Sequence, residues 1–79
     1  MKARIQRFTV VFEGAEEGGY LARVPSLPGC VSQGETLDEA ERMIADAIRA
    51  YCASLKKHHQ PVPRDVREVI ETIEVAVPA

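Results

Sequence analysis

Residues 24–36, VPSLPGCVSQGET, restrict the fold of this chain more than any other stretch. Pro25 has no amide to donate and keeps Val24 extended, so a strand that reaches Val24 ends there. Leu27, Pro28, Gly29 and Cys30 have the order of a type II turn, in which proline fixes φ at the second position and glycine accepts positive φ at the third. Residues 30–33 follow as a short strand, released at Gly34. Thr36 and Glu39 have capping-box spacing: the threonine hydroxyl accepts from the Glu39 amide and the carboxylate reaches back to the cap. A strand end, a tight turn, a second strand and a helix start are thus set within one short stretch.

The flanks supply the rest. In residues 5–13 the even positions Phe8, Val10 and Phe12 are apolar, whereas the odd positions Ile5, Arg7, Thr9, Val11 and Glu13 are mixed. That is the pattern of a strand with one core face. The glycine-rich, acidic run EGAEEGG reverses the chain, and Tyr20, Ala22 and Val24 resume the apolar alternation against Leu21 and Arg23, which predicts a hairpin. Beyond the cap, Leu37, Ala40, Ile44, Ala47, Ile48, Tyr51 and Leu55 recur at three- and four-residue steps. Burying each large side chain of such a stripe stabilises by roughly 1.5–3 kcal/mol. Lys56 and Lys57 suit the negative end of the helix dipole, and Pro61 and Pro63 prevent continuation. Residues 69–77, VIETIEVAV, are rich in β-branched side chains and read as a fourth strand.

The resulting order is βββαβ, an α+β domain with one helix, about 30 Å long, packed on one face of the sheet. The opposite face would present Ile5, Arg7, Thr9, Val11, Leu21 and Arg23, too apolar to be simply solvated and too polar for a core. Such a face is a candidate contact surface. A chain of 79 residues makes one domain of modest stability, which self-association would raise. That contact is expected through Arg7, Thr9, Val11, Leu21 and Arg23 on the open face, or through Ile73 and Val75 of the closing strand. Glu71 and Glu74 would limit pairing at that edge to a closed homo-oligomer, a dimer or tetramer.

Charge narrows the function classes. A formal net charge of −2 and a pI near 5.6 argue against autonomous nucleic-acid binding and suit a basic partner. The start, MKARIQRFTVVFEG, alternates charged and apolar residues and offers neither a signal-peptide core nor a membrane span, so the expected location is the cytoplasm. Cys30 and Cys52 lie far apart with no CxxC, which points to two reduced, mostly buried thiols and away from a disulfide framework or a zinc knuckle. No histidine lies near Cys30 in the sequence to serve as its base. His58 and His59 are adjacent, diverge by roughly 100° on a helix and lack the four-residue spacing of two ligands on one face; they read as a frayed, solvated helix end. Glu13, Glu16, Glu17, Glu35, Asp38, Glu39 and Glu41 cluster in a loop and a helix start, where solvent is expected, unlike a partly buried acid–base pair. They make a solvated face or a charged docking surface, whose nominated contacts are Glu16, Glu17, Glu35 and Asp38. GGY and LPGC lack the spacing and the lysine of a phosphate-binding loop. No catalytic, metal or cofactor site is expected.

The run GYLARVPSLPGCVSQGETLDEAERMI, residues 19–44, resembles the N-terminal domain of HicB antitoxins, whose signature is G-Y-x-A-x-V-P-x-L-P-G-C-x-S-x-G-x-T-x-x-E-A. The likeness extends more weakly over the first strand and over VIETIEVAV. It implies a partial ribonuclease-H-like βββαβ fold without that enzyme's catalytic carboxylates, the last strand lying parallel to the first. It also implies inhibition by binding, because HicB proteins neutralise HicA, a small basic mRNA-cleaving toxin of double-stranded-RNA-binding fold that acts through a histidine. Pro25, Leu27, Pro28, Gly29 and Cys30 match the signature and carry over as fold-determining residues, since turn chemistry already accounts for them. Ser26 stands where an acid is common, which removes charge that this loop would offer a toxin. The sequence reaches Ala79 without the helix-turn-helix or ribbon-helix-helix module of many HicB proteins, so residues 1–79 are expected to act as one domain that does not bind operator DNA by itself. The implied partner is a HicA-like toxin. The alternative is a solitary regulatory domain that binds a small molecule or a non-toxin partner on the open sheet face.

Overall fold

The computed structural model describes residues 4–79, and the first three residues of the charge-alternating start lie outside the described part. Its elements are three strands, β1 (Val11–Gly14), β2 (Tyr20–Arg23) and β3 (Val31–Gly34), followed by one helix, α1 (Leu37–Lys57). The strands form an antiparallel sheet in the order β1-β2-β3. Val11 stands opposite Arg23 and Gly14 opposite Tyr20; across the other side of β2, Tyr20 meets Gly34 and Arg23 meets Val31. This is the expected α+β arrangement.

The hairpin closes where the glycine-rich run predicts. Ala15 N–H donates to Gly19 O and Gly18 N–H to Ala15 O, both at 3.0 Å. Phe8, Val10 and Phe12 all pack against the core, yet the ladder begins only at Val11. The cause is the proline after Val24: β2 has already turned away, so residues 5–10 lack a strand to pair with on that side.

Ala22, Val24, Leu27, Cys30, Ala40 and Ile44 form the buried core, with Ala47, Ile48, Tyr51 and Cys52 half-buried around it. Helix α1 starts at the expected cap, where Thr36 Oγ1 accepts from Glu39 N–H at 3.1 Å. Asp38 and Glu39 in the first turn and Lys56 and Lys57 in the last complement the helix dipole. The C-terminus is ordered, not frayed. Gln60 N–H donates to Leu55 O at 2.8 Å and His59 N–H to Lys56 O at 3.0 Å, with His59 at φ 57°. These bonds are a Schellman cap, which satisfies carbonyls that a frayed end would leave to water, and His59 takes the left-handed position usually given to glycine.

The closing segment departs from expectation. No part of residues 66–79 joins the sheet, and Val69, Ile70, Ile73, Val75 and Val77 are 69–82% exposed. The parallel fourth strand is therefore not made within one chain. What docks instead is the linker before it: Gln6 Nε2 donates to Pro63 O at 3.2 Å, while Thr9 gives its N–H to Asp65 Oδ1 at 2.8 Å and its hydroxyl to Asp65 Oδ2 at 2.6 Å. β-Branched residues favour a strand only where a neighbouring strand takes up the backbone groups, and this chain brings none to residues 69–77. The molecule measures 58 Å along its longest axis, far more than the roughly 32 Å of a 21-residue helix.

Candidate partner-binding surfaces

Residues 24–30 fold as a loop closed by its own backbone. Val24 N–H donates to Cys30 O at 3.1 Å, Leu27 N–H to Val24 O at 3.0 Å, and Cys30 N–H to Leu27 O at 2.9 Å. The last bond is that of the expected type II turn, and Gly29 at its third position has φ 81°. Leu27 is wholly buried, and Tyr51 Oη donates to Pro28 O at 2.9 Å, which ties the turn to α1. Pro25, Leu27, Pro28, Gly29 and Cys30 thus fasten sheet to helix. Burial pushes the Cys30 thiol above its ordinary pKa and the neighbouring Cys52 adds to the effect; burial also raises Cys52. A nucleophilic cysteine requires the opposite shift. Ser26 is buried as well, and its Oγ finds no hydrogen-bond partner.

The acids gather at the other end of the sheet. Glu16 and Glu17 are exposed in the hairpin loop, and Glu35 and Asp38 are exposed at the helix start. Pairing of Tyr20 with Gly34 draws these two regions together. Glu17, Glu35 and Glu39 consequently line one depression of about 700 Å³, while Glu16 and Asp38 lie outside its lining. Glu39, counted among the clustered acids but not among the four nominated contacts, lines it as well. Its amide caps the helix by donating to Thr36 Oγ1, and the cross-strand register is the signal that links the residue to the loop.

The open sheet face holds two cross-strand rows, Val11–Arg23–Val31 and Glu13–Leu21–Gln33. Together they line a shallow hollow of about 460 Å³, bridged at one side by Arg23 Nε and Glu13 Oε1 at 3.8 Å. Leu21 and Arg23 are exposed there as expected, with Val31 as an additional apolar member that follows from alternation with buried Cys30. Arg7 is exposed on the preceding segment. Thr9 differs, since both its polar groups are taken up by Asp65, which makes it a clasp for the linker. Ile73 and Val75 are exposed in the closing segment and are not brought to this face. Among the described residues there is no group of three or more His, Cys, Asp or Glu placed to hold a metal ion, and no helix long and apolar enough to cross a membrane.

Comparison with known proteins places this arrangement in a family. A model described as the HicB-like antitoxin of bacterial toxin–antitoxin systems matches residues 8–77. A UPF0150 protein of Thermoplasma acidophilum is 50% identical over 64 residues, which cover 81% of this chain and 93% of that protein. A UPF0150 protein of Synechocystis is 47% identical over 62 residues, 78% of either chain. Antitoxin HicB 1 of Photorhabdus laumondii is 43% identical over 42 residues, 53% of this chain and 27% of that antitoxin. The family match takes in the sheet, the signature loop, the helix and nearly all of the closing segment, and on that extent this chain belongs to the HicB-like antitoxin family.

Proposed function

We propose that this chain is the inhibitory module of a toxin–antitoxin pair, acting in the cytoplasm, that binds and neutralises a small basic toxin of the HicA type without chemistry of its own. The observation that carries the reading is the antitoxin-family match over residues 8–77. The surface agrees with it. A ribonuclease that grips RNA phosphates presents a basic face, and the exposed acids Glu16, Glu17, Glu35 and Asp38, with Glu39 beside them, give an inhibitor a complementary one. Opposite charge of this kind speeds encounter more than it sets final affinity. The raised thiols of Cys30 and Cys52 agree with a binding protein, since neither is primed as a nucleophile.

The test is co-expression with the short basic protein encoded in the adjacent reading frame. A complex that survives purification supports the proposal. If no such frame exists, or its product never associates, the antitoxin reading fails, and the hollow on the open face becomes the place to look for a small-molecule or non-toxin partner.

A further inference from the structure

The closing segment and the start of the chain carry complementary features that one chain cannot bring together. Residues 69–77 are rich in β-branched side chains, and Val69, Ile70, Ile73, Val75 and Val77 among them are exposed; residues 68–79 hold Glu68, Glu71 and Glu74 with no cation. Residues 4–10, which lead into β1, hold Arg4 and Arg7 with no acid, and Ile5 among them is 99% exposed. Ion pairs among the described residues are Glu13–Arg23 and Asp46–Arg49, so neither arginine and none of the three glutamates has an opposite charge in contact. Beside residues 4–8 runs a groove of about 1260 Å³, floored by Phe8 and by Ile48 and Cys52 of α1.

Direction decides which chain can fill it. Gln6 bonds Pro63 and Thr9 bonds Asp65, so the linker travels alongside residues 6–9 in the same direction as they do. Residues 66–77 contain no glycine or proline to reverse the chain. The segment is therefore carried onward past residue 9, away from its own Arg4 and Arg7. A second copy related by a two-fold axis presents the same residues 4–8 running against it. In that antiparallel sense Arg4 meets Glu74 and Arg7 meets Glu71 in a single register, because the two arginines and the two glutamates are spaced alike. The same register sets Ile5 opposite Ile73 and Phe8 opposite Ile70.

We infer that two copies of this chain exchange their closing segments, each laying residues 68–74 of one copy antiparallel to residues 4–10 of the other. Exchange of this kind is isologous: one operation satisfies both segments, and the strand edges that would otherwise template open-ended pairing are consumed. The inference does not depend on any toxin and is tested on the chain alone.

The experiment uses sedimentation equilibrium of the wild type and two double variants, Arg4→Glu with Arg7→Glu and Glu71→Arg with Glu74→Arg. All four positions are exposed, so each variant keeps the helical circular dichroism of the wild type. Wild type is expected to be dimeric at low micromolar concentration. Either double variant alone sets like charges together and weakens the dimer by at least about tenfold. An equimolar mixture of the two restores dimer, because each segment then meets an opposite charge on the other chain. Wild type that stays monomeric at high micromolar concentration overturns the exchange. So does unaltered dimerisation of both variants, which would place the contact elsewhere, or a mixture that remains as weak as its components.

Discussion

Gly34 leaves no room for a side chain where β3 gives way to the helix. A Cβ there would lie 2.9 Å from Ala40 Cα and from Glu39 C, and closer still to Ala40 N, all of it helix backbone that cannot swing aside. Gly34→Ala is expected to destabilise by about 3 kcal/mol, the upper end for overpacking, read as the midpoint of urea unfolding. A variant that unfolds with the wild type would contradict that close approach. Ser26 should behave in the opposite way. Its buried hydroxyl lacks a partner, so Ser26→Ala removes a desolvated polar atom and is expected to be neutral or to stabilise by about 1 kcal/mol. Destabilisation beyond about 1 kcal/mol in the same assay would mean that the hydroxyl does bond in solution. The two residues also differ in how far the sequence announces them. Gly34 ends a strand three residues after a turn and just before a cap, which is local information. The burial of Ser26 depends on how the loop meets α1, through Leu27 and the Tyr51–Pro28 bond, and nothing within a few residues of it says so.

Elements whose partners are close in sequence were legible, and those that depend on distant chain were not. The hairpin, the turn and the capped helix follow from Gly18–Gly19, Pro28–Gly29 and Thr36–Glu39. The C-terminal cap was missed because His59 occupies a position where glycine is the usual signal. The linker clasp was missed because Thr9 and Asp65 lie 56 residues apart. That clasp has a pH dependence. Two hydrogen bonds from Thr9, hydroxyl first and amide second, hold the Asp65 carboxyl below its usual range. A lowered carboxyl pKa means that the docked linker is favoured above the ordinary carboxylate range and loses that contribution as pH falls through the lowered value. The Thr9 amide resonance is therefore expected to be constant near neutral pH and to move at a pH below that at which free carboxylates titrate. Asp65→Asn should remove this movement. A Thr9 amide that titrates with ordinary surface acids would show that the clasp does not form.

At the scale of the whole molecule, fold and partner class were read from the same short signature, but the surfaces required the folded chain. The hairpin loop and helix start are separated by β2, the turn and β3, and only the antiparallel register brings Glu17 to Glu35 and Glu39. If that acidic end guides a basic toxin, replacing Glu16, Glu17, Glu35 and Asp38 with their amides slows association several-fold at low salt and flattens its salt dependence. Stability should change within about 0.5 kcal/mol, as is usual for exposed positions. Equal association rates for wild type and quadruple variant at two ionic strengths would return these acids to a merely solvated face. Separation of roles is also expected: the closing segment serves self-exchange, and the acidic end remains free for the toxin.

The most direct measurement is a titration of RNA cleavage. The toxin that the proposed function requires, a short basic protein encoded in the adjacent reading frame, would be incubated with RNA at fixed concentration while this chain is added in increasing amounts. Neutralisation by binding predicts that cleavage falls in proportion to added chain and ceases at a fixed stoichiometric ratio, with no consumption or modification of either protein. Cleavage that continues unchanged in the presence of excess chain would contradict the antitoxin account.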